Sequence, residues 1–307
     1  MCGGKAPDGD GLVWRVVGAS VQGVAHRRAG LPCQDAQAWR VLGSGEVIIA
    51  VADGAGTAPC AAEGARLAAI HAVDSLAGAL RAATLPRAGK PEGPARATAD
   101  AGPVLVAMRA AFGETRAALC QQAAAAARPL ADFATTLSCA VATPDYLVTG
   151  QLGDGLVVAQ GKVGLFLAGR PQRGEYANEA YFLSMEGALE GLVVQAYGLR
   201  VEALALSSDG LLRLALYLPG LEPHEPFFRP LFDFVRGAFD GVSAQEELAG
   251  FLDSARVCER TDDDKTLVVA ARAPCGGAPP SSPAWLELAA GDERAEDQRQ
   301  PAKDGQA

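Results

Sequence analysis

Apolar residues are distributed along this chain in two ways. Short, β-rich apolar runs mark one set of segments, and a period near 3.6 marks a few longer, Ala-rich ones. The first kind predicts strands over Leu12 to Val21, Val47 to Ala52, Thr135 to Ala142, Tyr146 to Gly150, Leu156 to Gln160, Val163 to Ala168, Leu192 to Gln195, Val201 to Ser207 and Thr266 to Ala271. The second kind predicts helices over Cys60 to Ala83, Val104 to Ala127, Leu211 to Leu218, Pro226 to Ala238 and Ser243 to Arg256. Many of the strands are joined by Gly or Asp-Gly, which suits antiparallel hairpins. Strands and helices come in blocks instead of alternating one by one, so the expected class is α+β with packed antiparallel sheets.

Three stretches lack either pattern. Residues 1–11 and 274–307 are rich in Gly, Pro, Ser and charge and read as tails, the second as a disordered one to which Trp285 and Leu288 give some means of docking. Residues 85–103, rich in Pro, Gly and Ala, read as a long surface loop inside one domain spanning 12–273. The 307 residues suffice for one large core, and 49% hydrophobic with 21% charged residues is ordinary globular usage. No run of eighteen apolar residues suggests a membrane span, and the N-terminus does not read as a signal peptide. Seven widely spaced cysteines with no C-x-x-C fit reduced thiols in a cytoplasm. A formal charge of -9 argues against nucleic acid or anionic lipid as a partner, so any chemistry on phosphate needs a local source of positive charge.

Acidic residues cluster at the ends of the apolar runs. Asp53-Gly54 follows Val47 to Ala52, Gly153-Asp154-Gly155 follows Tyr146 to Leu152, and Ser208-Asp209-Gly210 follows Leu204 to Ser207. Each Asp-Gly alone also reads as a plain hairpin turn. A fourth group, Asp262-Asp263-Asp264 before the strand from Thr266, places three adjacent carboxylates that repel one another unless a cation relieves them, although a solvated charge run has the same composition. Asp35, in Pro32-Cys33-Gln34-Asp35-Ala36, adds one more. Carboxylates converging on one end of a sheet suit hard, oxygen-loving cations such as Mg²⁺ or Mn²⁺. Only His26, His71 and His224 are present, without paired cysteines, and this gives zinc little support.

These segments, in this order, resemble the metal-dependent protein phosphatase 2C-type serine/threonine phosphatases, in particular a bacterial branch. The pieces are Gly18-Ala19-Ser20, His26, Pro32-Cys33-Gln34-Asp35-Ala36, Val51-Ala52-Asp53-Gly54-Ala55-Gly56, Thr135-Thr136-Leu137, Gly153-Asp154-Gly155, Ser208-Asp209-Gly210 and Asp263-Asp264-Lys265-Thr266, covering about residues 12–272. The resemblance implies a four-layer αββα sandwich with a site for two Mn²⁺ or Mg²⁺ ions, and a weaker third, at one end. It implies that Asp53 bridges the two ions with the Gly54 carbonyl on one of them, and that Asp209 and Asp263 hold the other. Asp154 with Asp209 matches the third position, Asp35 orients water, and Asp264 stands behind the ligands where the family often has Asn. The implied chemistry is hydrolysis of phosphoserine and phosphothreonine in proteins, by direct attack of hydroxide formed between the ions. The implied setting is a cytoplasmic monomer acting on phosphoproteins opposite a Ser/Thr kinase.

The chain also departs from the family pattern. Ala55 stands where many eukaryotic members have a His suited to protonating the leaving group, Gly155 where many have Ser, and Gln34 where many have Glu. A phosphate-binding Arg is expected upstream of Asp35, for which Arg27 and Arg28 are candidates, with His26 as a further phosphate or substrate contact. The segment Gly174-Glu175-Tyr176-Ala177-Asn178-Glu179 resembles part of the family's flap and reads equally as an ordinary loop. Ala55 and Gln34 motivate a second function, a catalytically weak scaffold binding a kinase or regulator. A haloacid-dehalogenase reading of Asp53 fails because Val51 and Ala55 stand where a second Asp would be needed.

Overall fold

In the strand Val47–Asp53, Ile48, Ala50 and Ala52 point to one side and Val47, Ile49 and Val51 to the other, and both sets are buried. A strand apolar on both faces has to lie between two layers. The computed structural model, which describes residues 11–83, 100–162, 164–172, 181–218, 220–238 and 240–275, supplies those layers.

Among the described residues, twelve strands form two five-stranded antiparallel sheets and one small hairpin. The first sheet has the order β2 (Asp35–Val41), β3 (Val47–Asp53), β4 (Leu137–Ala142), β5 (Leu147–Leu152) and β8 (Val193–Tyr197). The second runs β1 (Leu12–Val21), β12 (Lys265–Pro274), β9 (Ala203–Ser207), β6 (Leu156–Gly161) and β7 (Gly164–Gly169). They pack face to face over a layer that includes Ile49, Val51, Leu147, Val157, Leu204, Leu206 and Val268. Helices α2 (Ala61–Ala82) and α3 (Gly102–Ala125) cover the outer face of the first sheet, and α5 (Glu225–Gly237) and α6 (Gly241–Leu252) that of the second. This is the αββα sandwich the resemblance implied. Among the described residues no helix is long and apolar enough to cross a membrane.

The helices follow their sequence. In α2 the buried set Ala61, Ala65, Ala68, Ala72, Leu76 and Leu80 keeps to one stripe at three- and four-residue steps. Its small residues let the helix sit close to its neighbours, and at Gly64 a Cβ would come within 2.4 Å of the Phe133 carbonyl. On β5, Gly150 makes room for α3, since a Cβ there would meet Met108 at 2.7 Å and Phe112 at 2.8 Å.

Several expectations are corrected. Leu211 to Leu218 is not one helix. A 3-10 turn over Asp209–Leu211 leads into a single helical turn, α4 (Leu212–Ala215), and Leu216–Tyr217 (β10) then pairs with Glu222–Pro223 (β11). The run is apolar enough to satisfy either pattern, and strand pairing takes its end. The pattern from Ser243 to Arg256 divides at Asp253 and Ser254 into α6 and a short α7 (Ala255–Cys258). Strand β2 and the six-residue helix α1 (Val24–Ala29) were not predicted; β2 is a polar edge strand, and α1 has no buried face. The segment 174–179, most of the loop 85–103 and nearly all of both tails lie outside the described residues.

Candidate metal centre

Antiparallel pairing brings the acidic segments to one end of the sandwich. Asp35, opening β2, is the register partner of Asp53, closing β3. In the other sheet Leu156 and Leu267 both face Ser207, so the turn carrying Asp154, the turn carrying Asp209 and the loop carrying Asp263 emerge together. Gly153 makes the first of these turns with φ +114°, in the left-handed region that favours glycine. Along β3, Asp53 is in phase with Ile49 and Val51, which places its side chain between the sheets.

Carboxylate oxygens of Asp53, Asp154 and Asp209 lie within 4.8 Å of one another. Three anions this close and partly removed from water cannot all stay ionised without a counter-charge. Burial, followed by the charges of Asp35 and Asp209, holds the Asp53 carboxyl well above its usual range. Burial and then Asp209 push Asp154 up to about 6. Burial pushes Asp35 up to about 7, against a hydrogen bond from Ser208 that favours its ionised form. Asp263 is raised too, by burial and by Asp209.

The backbone around these groups is held firmly. Asp53 N–H donates to Thr136 Oγ1 at 3.1 Å, while its carbonyl accepts from Thr136 N–H at 2.8 Å and from Thr135 Oγ1 at 3.0 Å. Gly54 N–H donates to the Gln34 carbonyl at 3.1 Å, and a Cβ at Gly54 would lie 2.7 Å from the Ala61 carbonyl. Gly210 is tighter still, with its Cβ position 2.1 Å from the Asp264 carbonyl oxygen. Ser208 Oγ donates to Asp35 Oδ2 at 2.6 Å and accepts from Thr266 N–H at 3.0 Å, linking the two sheets beneath the acidic cluster. Asp35 Oδ1 and Gln34 Oε1 are buried and accept no hydrogen bond within the protein. A buried carboxylate oxygen left this way is costly unless a donor or cation reaches it.

Asp263 and Asp264 part company. Asp263 stays at the edge of the cluster, where its Oδ1 accepts the Asp264 N–H at 2.8 Å, and it is not one of the three mutually close carboxylates. Asp264 turns the other way, with Oδ1 accepting Gly23 N–H at 2.6 Å and Oδ2 accepting Gln34 N–H at 2.5 Å and meeting His26 Nδ1 at 2.8 Å. Asp154, assigned to a weaker third position, is a full member of the close triad. The guanidinium of Arg27 departs from its expected role on phosphate. It forks onto Asp253 at 2.6 and 3.1 Å at the surface and lowers the pKa of that carboxyl. Arg28 is exposed at the end of α1. Gly155 has a local reason for not being Ser, because a Cβ there would come within 2.9 Å of Ser138 Oγ and 3.0 Å of the Ser207 carbonyl.

The anchoring roles of Thr135, Thr136 and Ser208 were not foreseen. Asp264 was expected to stand behind the ligands, and its placement has a local reason. Adjacent residues entering an extended strand face opposite ways, so Asp263 and Asp264 could not both reach one cluster.

Comparison with known proteins adds sequence and fold relatives. The protein phosphatase 2C family pattern matches residues 22–253. Serine/threonine-protein phosphatase 3 of Escherichia coli (strain K12) is 35% identical over 267 residues, spanning 84% of this chain and 98% of that protein. Among solved structures, a bacterial serine phosphatase superposes with a TM-score of 0.55 at 14% identity, over 83% of this chain and 96% of the other. The serine/threonine phosphatase Stp1 from Staphylococcus aureus does so with a TM-score of 0.53 at 14% identity, over 83% and 94%. At that identity these two structures speak for the fold alone.

Proposed function

The chain belongs to the protein phosphatase 2C family and is a protein serine/threonine phosphatase, and from that premise we propose that its carboxylate cluster holds two divalent ions, Mn²⁺ or Mg²⁺, with room for a weaker third. The observation that carries this reading is the mutual approach of Asp53, Asp154 and Asp209 within 4.8 Å, together with the unpartnered Asp35 Oδ1 beside them. An all-oxygen donor set suits these hard cations.

In this reading Asp53, the Gly54 carbonyl, Asp209 and Asp263 would hold the two ions, and Asp154 with Asp209 would hold the weaker third. Bound divalent ions supply Lewis acidity, neutralising charge on the phosphoryl oxygens and activating water as the nucleophile. They also supply the positive charge that a chain of formal charge -9 otherwise lacks for an anionic substrate. Around them the protein provides position. Thr135 and Thr136 fix the Asp53 backbone, Ser208 holds one oxygen of Asp35, and Asp35 Oδ1 is left to accept a hydrogen bond from the attacking water. The substrates are phosphoserine and phosphothreonine in proteins, modified by an opposing kinase, and the enzyme works as a cytoplasmic monomer.

Hydrolysis of a phosphothreonine peptide tests the reading. Turnover is expected to need Mn²⁺ or Mg²⁺, to stop with EDTA, and to fall at least about 100-fold in Asp53→Asn and Asp209→Asn. EDTA-resistant turnover, or wild-type rates in both variants, overturns it, and metal binding without turnover identifies a scaffold.

A further inference from the structure

Expelling a seryl or threonyl oxygen from phosphorus leaves a strongly basic alkoxide, so the reaction proposed above requires a proton at that oxygen as the bond breaks. Residue 55, next to the cluster, is alanine and has none to give. Of the chain's three histidines, His71 meets Thr115 at 3.4 Å in the α2–α3 layer and His224 meets the Leu214 carbonyl at 3.0 Å beyond the second sheet. His26 alone stands at the acidic end. Its Nδ1 lies 2.8 Å from Asp264 Oδ2, and Asp264 is 3% exposed and also accepts two backbone N–H bonds. This contact occupies Nδ1 and leaves Nε2 turned away from Asp264.

Nε2 faces a prepared space. A Cβ at Gly56, three residues past Asp53, would lie 3.9 Å from His26 Nε2 and 4.0 Å from Gln34 Oε1. Gln34 is 5% exposed, and its Oε1 has no partner in the protein. Gly56 itself is exposed, so the absence of a side chain there leaves the approach to Nε2 clear, with Gln34 Oε1 buried behind it. His26 is 14% exposed, enough to reach a bound side chain while its ring remains held.

We propose that His26, oriented by Asp264, is the proton donor to the seryl or threonyl leaving oxygen. The role rests on the phosphatase reading above. In this step His26 starts as the imidazolium, with Nδ1–H on Asp264 and Nε2–H towards the substrate: as the new bond forms between phosphorus and the water oxygen, the bond from phosphorus to the leaving oxygen breaks with its electron pair on that oxygen, which takes the Nε2 proton and leaves neutral imidazole with its hydrogen on Nδ1. The water's own proton, passed to solvent, is balanced by the one that recharges the imidazole, so the products are the free hydroxyl and phosphate. Asp264 is a positioning residue here and does not touch the substrate.

The test compares two substrates with wild-type protein and His26→Gln. A phosphothreonine peptide leaves as an alkoxide and needs the proton; p-nitrophenyl phosphate leaves as a phenolate that is stable near neutral pH. His26→Gln is expected to lower kcat on the peptide by about 100-fold or more, and on p-nitrophenyl phosphate by less than about tenfold. Mn²⁺ affinity by calorimetry is expected to stay within about twofold, since His26 is not a ligand. In ¹⁵N-histidine spectra of the metal-free protein, one resonance absent from His26→Gln is expected to report the Nδ1–H tautomer. Equal losses on the two substrates, a large loss of Mn²⁺ affinity, or the Nε2–H tautomer overturns the role of His26 while leaving the phosphatase reading intact. A wild-type protein without Mn²⁺-dependent turnover on either substrate overturns that reading and this role with it.

Discussion

If the close carboxylates repel one another when no cation is bound, neutralising one should stabilise the metal-free protein. Asp154 is the cleanest case, because burial and the charge of Asp209 carry its carboxyl from 3.8 to about 6. A carboxyl moved that far is less stable as the anion in the folded protein by about 3 kcal/mol, and solvent screening of a half-buried group reduces this to about 1–3 kcal/mol. The penalty depends on pH with a definite sign. Below about 4 the group is protonated in both states and the folded protein bears no cost. As pH rises toward about 6 the unfolded chain ionises first and stability is lost, and above about 6 the loss is complete and constant. Asp154→Asn has no charge to lose. In EDTA at pH 7.5 the variant should therefore melt about 3–10 °C above wild type by calorimetry, and at pH 4 the two should nearly coincide. Adding Mn²⁺ should raise the wild-type melting temperature more than that of the variant. A variant no more stable than wild type in EDTA, or a gap that persists unchanged at pH 4, would refute the reasoning.

Other expectations follow from single contacts. Gly210→Ala pushes a Cβ against the Asp264 carbonyl at 2.1 Å, backbone on backbone, and should cost about 3 kcal/mol or more in denaturant unfolding. Gly150→Ala meets side chains and no backbone, flexible Met108 and the buried Phe112 ring, so its cost by the same measurement should be smaller, about 1–3 kcal/mol. Ser208→Ala removes the Ser208 donor from a buried Asp35 carboxylate and should cost about 1–3 kcal/mol, with the loss growing as pH rises from 5 to 8 because the charged form loses support.

Much of this architecture was legible in the sequence because strands buried on both faces announce themselves. The run Leu12 to Val21 matches β1 residue for residue, and the Ala stripe of α2 sets its helix to within a residue of the predicted ends. Edge elements were harder to read. In β2, Gln37 and Arg40 interrupt the apolar pattern, and its register opposite β3 comes from pairing, which no local signal encodes. At the site, the Asp-Gly pairs marked where carboxylates emerge. Which of them approach most closely depends on how two sheets stack, and that put Asp154 into the triad with Asp53 and Asp209. Asp264 and Ser208 act through long-range contacts across 241 and 173 residues of chain, beyond the reach of any spacing rule.

The account turns on the carboxylate cluster being a cation site, and calorimetric titration of Mn²⁺ into the metal-free protein tests this most directly. The account predicts at least two ions per chain in wild type, and loss of both tight ions in Asp53→Asn, since the proposed reading assigns Asp53 to both. Wild-type protein that binds no Mn²⁺, or Asp53→Asn that binds it with unchanged stoichiometry and affinity, would contradict it.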